Sequence, residues 1–249
     1  MRLGILFSGG KDSMLALHDV SKENEIACLI TLVSLNKESY MFHTPNIDIT
    51  TLQAEALGLP LLTRVTKGEK EKELEDLEAV VAQAIQEFKI EGLVTGAVES
   101  LYQSQRIQRI CDQLNIQCIN PLWKKNQICL LEELVEKGFN VIVTGVFAYP
   151  LDARWLGKEI NKELIKRLEE LQESFSVSPS GEGGEIETTV LDAPLFTRKI
   201  EVIKHKVEAR HNSGVFIIQR AQLLSKQPIR WINENTILNK EQKGAAEEL

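Results

Sequence analysis

The sequence predicts an α/β protein: a parallel sheet covered by helices on both faces, followed by a smaller mixed helix-and-strand domain. Three observations carry this. Strand-like and helix-like segments alternate from Leu3 to Leu114; a glycine pair, Gly9-Gly10, sits at the first strand-to-helix junction; and the alternation ends after Pro121-Leu122-Trp123.

The elements follow in order. Leu3 to Phe7 is a short apolar run with the length of a buried strand, and Ser13 to Val20 continues with helical spacing. Ile26 to Leu32 is rich in branched residues and reads as a second strand. Ile47 to Leu57 has helical spacing and stops at Gly58, where a left-handed cap fits. Pro60 to Val65 is the next strand. Glu71 to Phe88 repeats apolar residues (Leu74, Leu77, Val80, Val81, Ala84, Ile85, Phe88) at a helical period. Glu91 to Gly96 and Ser100 to Leu114 add one more strand and helix. Beyond Trp123 the pattern predicts a helix over Gln127 to Glu136, a strand over Asn140 to Phe147 and a charged helix over Ile160 to Leu171. Strands follow at Ile186 to Leu191, Ile200 to Ala209 and Gly214 to Ile218. The predicted division is residues 1–127, then 128–225, then a polar tail over 226–249.

Composition narrows the function. The chain has 249 residues, 43% hydrophobic, and a net charge of -7, so it is long enough for one large or two modest domains. The acidic balance argues against nucleic acid as the main ligand, because phosphate neutralisation needs a basic excess. No apolar run is long enough to span a bilayer, and the chain enters a strand at once with no basic leader, so a cytoplasmic protein is expected. The four cysteines (Cys28, Cys111, Cys118, Cys129) form no C-x-x-C pair and read as small core residues. His18, His205 and His211 show no metal-ligand spacing, and no protein-only metal site is expected. The run Gly68 to Glu73 reads as a solvated helix start.

Ser8-Gly9-Gly10-Lys11-Asp12-Ser13 follows the first strand directly and opens a helix. Two glycines let the backbone turn sharply and approach a phosphate with no Cβ in the way. The first amides of the helix point at the bound group, and the helix dipole favours its charge. Ser8 and Ser13 can donate hydroxyl hydrogen bonds and Lys11 a positive charge, while Asp12 suits loop shaping or Mg2+. The spacing is neither that of a Walker A loop nor that of a dinucleotide fingerprint. The hexapeptide resembles the PP-loop of the N-type ATP pyrophosphatases. That resemblance implies a HUP-type sheet of about five strands, with ATP split to AMP and pyrophosphate.

Further blocks sharpen the resemblance. Gly96-Ala97-Val98-Glu99-Ser100-Leu101-Tyr102-Gln103 is followed by Arg106, then by Leu151-Asp152-Ala153-Arg154-Trp155-Leu156-Gly157. Gly181-Glu182-Gly183-Gly184-Glu185-Ile186-Glu187-Thr188 and Asp192-Ala193-Pro194-Leu195-Phe196 come last. Together they resemble the diphthine–ammonia ligase family from Met1 to about Leu224. Leu101 stands where an acidic residue is expected, and Lys158 where arginine is usual.

The resemblance implies amidation of diphthine on elongation factor 2 by ammonium, through an acyl-adenylate, with ATP and Mg2+. Lys11, Asp12, Glu182 and Glu185 are the expected catalytic residues. Ser8 to Ser13, His43, Gly96 and Ala97 are expected to hold the nucleotide. Tyr102, Gln103, Arg106, Asp152, Trp155, Glu182, Glu185 and Glu187 are expected around the substrate. Glu182, Glu185 and Glu187 crowd one glycine-rich loop, which suits a cation there, and Tyr102 and Trp155 offer aromatic faces for a quaternary ammonium. Plainer readings stand beside these: a solvated acidic loop, a polar helix face at Tyr102, Gln103 and Arg106, packing for Trp123 and Trp155, and an exposed loop for His43. The alternatives in function are a tRNA-modifying PP-loop enzyme, disfavoured by unpaired cysteines and acidity, and a non-catalytic adenine-nucleotide sensor. A homo-oligomer is left open.

Overall fold

The computed structural model describes residues 1–36, 45–69 and 71–226. Its first half runs β1 (Arg2–Leu6), α1 (Lys11–Val20), β2 (Glu25–Ser34), a 3-10 turn (Ile47–Ile49), α2 (Thr50–Leu57), β3 (Leu61–Thr66), α3 (Lys72–Phe88), β4 (Gly92–Val94), α4 (Leu101–Gln113) and β5 (Gln117–Ile119). The second half runs α5 (Gln127–Glu136), β6 (Asn140–Val146), a 3-10 turn (Ala153–Trp155), α6 (Lys162–Phe175), β7 (Ile186–Asp192), β8 (Arg198–Arg210) and β9 (Ser213–Ser225).

The first sheet has the order β3-β2-β1-β4-β5, and every pairing is parallel. The predicted parallel sheet is therefore present. Its central strand is buried over Leu3, Gly4 and Ile5, as a strand covered on both faces must be. One face packs Leu77, Val80, Val81 and Ala84 of α3 with Ile107, Ile110 and Cys111 of α4. On the other face Met14, Leu15 and Leu17 of α1 join a core that continues through α5 into Val141, Val143 and Val190 of the second sheet. That second sheet is antiparallel, in the order β7-β6-β9-β8.

The chain order fixes where a site can form. Successive crossovers leave β1 in opposite directions, so a crevice opens at the carboxyl ends of β1 and β4, where the strand order reverses. The loops Ser8 to Gly10 and Thr95 to Ser100 both empty into it.

Several local expectations change. Sequence pattern misses β5, since three residues with exposed Gln117 give no apolar run. Strand β9 extends seven residues past Ile218, paired with β8 as far as Ser225, with Ala221 and Leu223 packed against the core and Gln219, Arg220 and Gln222 exposed. The start of α3 is exposed at Glu69, Glu71 and Lys72, as a solvated charge run should be, but Glu73 is buried and Glu71 holds the Arg106 guanidinium at 2.6 Å. Of the cysteines, Cys28 and Cys111 are core residues, whereas Cys118 is half-buried and Cys129 exposed on α5.

A charge network ties α1 to α5. Asp19 bonds Lys22 at 3.1 Å and Lys137 at 2.8 Å, and Glu133 bonds Lys125 and Lys137. Burial works against ionisation of Asp19, but hydrogen bonds from Lys137 and Lys22 hold its carboxyl down at about 2.

Candidate functional site

The glycine loop is fixed from three directions. Gly9 adopts φ +78°, the left-handed region that glycine enters without strain. Its carbonyl accepts from Gln53 Nε2 at 2.9 Å and from the Val190 amide at 3.1 Å. The same Gln53 nitrogen donates to the Val190 carbonyl at 2.8 Å, so one fully buried side chain on α2 clamps the loop to β7. A Cβ at Gly9 would lie 2.4 Å from Gln53 Oε1. Lys11 and the strand partner meet too, with Lys11 N–H donating to Thr188 Oγ1 at 3.2 Å.

Gly10 is the N-cap of α1 and supplies no side-chain acceptor, so the helix start is open to an anion. Ser8 Oγ and Ser13 Oγ stand 3.2 Å apart beside it. From β4, Gly96 presses against the same helix start: a Cβ there would lie 2.7 Å from Asp12 C and Ser13 N. Ala97 is buried behind it, its amide donating to Thr95 Oγ1 at 3.2 Å. The structure therefore brings Ser8, Gly9, Gly10, Lys11, Asp12, Ser13, Gly96 and Ala97 together. His43 lies outside the described residues.

The carboxylate loop meets the phosphate loop through Lys11. Its ammonium is buried and donates to the Ser180 carbonyl at 2.5 Å and to Asp12 Oδ2 at 2.7 Å. An ammonium has three N–H bonds, so one remains for a ligand oxygen. Asp12 Oδ1 is buried without a partner. Burial pushes the Glu182 carboxyl up to about 7, Asp12 adding to the rise and Lys11 opposing it. Burial pushes Glu187 up to about 7 as well, against the pull of Lys11. Both carboxyls thus face the same lysine–aspartate pair.

Glu185 is placed differently. Its Oε1 accepts from the Ser178 amide at 3.2 Å and its side chain folds over Gly183, while Oε2 is buried and unpartnered. It shapes the loop. Gln127 at the start of α5 finishes the anchoring, its Oε1 accepting from Ser178 Oγ (2.7 Å), Ser180 N (3.0 Å) and Ser180 Oγ (2.9 Å).

Beside this loop lies an open cleft of about 630 Å3, lined by Glu99, Tyr102, Gln127, Gln172, Ser178 and Glu182 among others. Tyr102 thus lines the cleft, while the backbone amide of Gln103, one residue on, donates at 3.4 Å to Ser100 Oγ, the N-cap of α4. Arg106 is committed: its guanidinium stacks 3.5 Å from the Tyr102 ring and bonds Glu71. Trp155 and Asp152 are not in the cleft. Trp155 is buried in the shared core, and Asp152 caps a 3-10 turn and pairs with Arg154 at 2.7 Å. Sequence reasoning missed Gln53, Gln127, Ser180 and the role of Thr188. For Gln53 a signal existed, a long polar side chain on the apolar side of a helix that also buries Ala54 and Ala56.

A parallel sheet with a glycine-built helix start at its switch point, free of a side-chain cap, is the arrangement of an anion-binding α/β protein. Residues 1–118 match the family model described as the diphthamide synthase N-terminal domain, and residues 126–224 match the C-terminal domain. The chain belongs to the diphthamide synthase, or diphthine–ammonia ligase, family. It is 36% identical over 254 residues to the diphthine–ammonia ligase of Danio rerio, covering 92% of this chain and 99% of that protein. It is 33% identical over 243 residues to that of Schizosaccharomyces pombe, covering 91% of this chain but only 40% of the longer relative. Among solved structures, a predicted subunit of tRNA methyltransferase from Methanocaldococcus jannaschii overlays with a TM-score of 0.42 at 19% identity, over 78% of this chain and 98% of that one.

Proposed function

We propose that this chain is a diphthine–ammonia ligase, amidating the diphthine carboxylate of elongation factor 2 with ammonium at the expense of ATP. One observation carries the reading: Lys11 of the phosphate loop is bonded to Ser180 and Thr188, which flank the family's glutamate loop, so nucleotide and carboxylate chemistry share one site.

The residues fit the chemistry. A carboxylate does not condense with ammonia unaided, because its oxygen is a poor leaving group; ATP supplies an adenylate leaving group. The amides at the start of α1 and the hydroxyls of Ser8 and Ser13 hold the phosphates, and the remaining N–H of Lys11 meets developing phosphate charge. The partnerless Asp12 Oδ1 suits Mg2+, a cation that takes oxygen ligands and arrives with phosphates. Among the described residues no three His, Cys, Asp or Glu side chains are grouped to hold a metal by themselves.

Glu182 and Glu187 hold ammonium and take its proton. A carboxyl near 7 is matched to proton transfer near neutrality. Tyr102 borders the substrate cleft, and Glu185 holds the shape of the carboxylate loop through Ser178. A cytoplasmic enzyme is the reading that suits this substrate, and among the described residues no helix is long and apolar enough to cross a membrane.

The test is incubation with Mg-ATP, ammonium and diphthine-bearing elongation factor 2, with the modified histidine followed by mass spectrometry alongside AMP. Acid-to-amide conversion with matching AMP is the expected result. AMP release with no amide would move the activity to another carboxylate or to a tRNA.

A further inference from the structure

A quaternary ammonium is a cation with no N–H to donate, so it is held by aromatic faces and by the field of nearby carboxylates rather than by hydrogen bonds. The two rings suggested by sequence are already covered. Tyr102 carries the Arg106 guanidinium at 3.5 Å, and Trp155, 8% exposed, faces Arg167 at 5.6 Å.

Uncovered aromatic surface lies elsewhere on this side of the molecule. Tyr149 is 65% exposed and Phe175 48%, and their rings meet edge to face at 5.5 Å and 83°. Two perpendicular rings form a corner that shows a π face to solvent. Its place is set by bonded neighbours. Phe175 ends α6 between Gln172 and Ser176, both of which line the Glu182 cleft. The loop after β6 that carries Tyr149 is tied to the carboxylate loop, the Phe147 amide donating to the Glu185 carbonyl at 2.9 Å. Phe147, also exposed, lies over Gly145 next to Glu187, where a Cβ on Gly145 would touch its ring at 2.7 Å.

We propose that the Tyr149–Phe175 corner is the specificity element that binds the quaternary ammonium of the substrate side chain at the rim of the Glu182 cleft. The inference rests on the diphthine reading of that cleft. The two rings pack on each other yet leave aromatic surface in water, and Glu99 and Glu182 of the neighbouring cleft supply the field a permanent cation requires. An amino acid side chain lacking the onium group would reach the cleft without this anchor.

The experiment uses the full chain, with tetramethylammonium as the cation and neopentyl alcohol as its neutral counterpart of like shape. Chemical shifts of the Tyr149 and Phe175 rings are followed by NMR with no elongation factor present. Tetramethylammonium is then tested as a competitor of diphthine-bearing elongation factor 2 at saturating ammonium. Both rings are expected to shift with tetramethylammonium and not with the alcohol. The double variant Tyr149→Leu and Phe175→Leu, which keeps apolar bulk, is expected to weaken competition about tenfold and to raise KM for the protein substrate far more than it lowers kcat. Equal competition in the wild type and the variant, or equal shifts with the alcohol, overturns the inference. Ring shifts in a chain that makes no diphthamide would count against the ligase reading alone. Diphthamide formation with unmoved rings would count against this inference alone.

Discussion

Two glutamines hold the two halves of the site, and they do it with opposite ends of the same amide. Gln53, fully buried, donates through Nε2 to the carbonyls of Gly9 and Val190. Gln127, half-buried at the cleft, accepts through Oε1 from Ser178 and Ser180 and donates to Glu99 at 3.2 Å. The phosphate side needs its carbonyls turned away from an anion, so a donor must absorb them. The cleft side needs a serine-rich loop drawn in around carboxylates, so an acceptor must gather its N–H and O–H groups. One residue type serves both sides because an amide offers both functions, and a carboxylate could replace only the second.

Predictions follow from breaking each side. The largest effect is expected where backbone meets backbone. Gly96→Ala puts a Cβ 2.7 Å from Asp12 C and Ser13 N, atoms that cannot step aside without moving α1. ATP affinity should fall at least a hundredfold by calorimetry, and the melting temperature should drop. Next is Gln53→Glu, which sets a buried acceptor against two carbonyls and should cost about 3 kcal/mol or more in denaturant unfolding. Gln127→Glu keeps the acceptor for Ser178 and Ser180 but turns the bond to Glu99 into a carboxylate–carboxylate contact, which solvent screens, so its cost should stay below that of Gln53→Glu, at about 1–2 kcal/mol. Equal losses for these two variants would show that the amide ends are not what separates the two regions.

Glu182→Gln should lower kcat for amidation by about a hundredfold or more, as loss of a proton acceptor does, while AMP-forming activation survives. In the wild type the amidation rate should rise with pH through about 7 as Glu182 ionises, and the variant should lose that limb. Stability runs the other way. The folded carboxyls of Glu182 and Glu187 titrate near 7 against 4.5 when unfolded, so the folded state holds its protons more tightly. Their contribution is full below about 4.5 and is lost as pH rises through 7. Asp19 has the opposite sign, with stability present above its unfolded value of 3.8 and lost as pH falls through about 2. Thermal melts of ligand-free protein from pH 5 to 8 should therefore decline, and less steeply in Glu187→Gln. The smallest effect belongs to the exposed Arg154, whose removal should leave the thermal melt unchanged, since water screens its pairing with Asp152.

Much of this was legible in the residues. The hexapeptide at the first junction predicts the tight turn at Gly9 and the helix start at Gly10 that the structure has, because glycine and serine at a helix start are a local device that survives in one dimension. Helix spacing placed α5 to the residue, and the Glu182 loop stood out by composition. The clamps did not. Gln53 reaches Gly9 across 44 positions and Val190 across 137, and Gln127 reaches Ser180 across 53, and nothing near them in sequence marks those partners. Trp155 and Asp152 were drawn to the substrate because they sit in a family block, yet Trp155 is packed in the core and Asp152 caps a turn. A block can recur for packing as well as for chemistry. Aromatic availability depends on which rings a guanidinium already covers, and that is a fact of tertiary structure.

Strand β7 lends Thr188 to the Lys11 amide across 177 positions of sequence. A ribosome must release every residue through Thr188 before that bond can close, and loop closure over such a span is slow. The nascent protein can thus build its first sheet early and still lack a finished phosphate loop. The glycine loop is thereby finished only when the second sheet has folded against the first, so its final shape belongs to both sheets together.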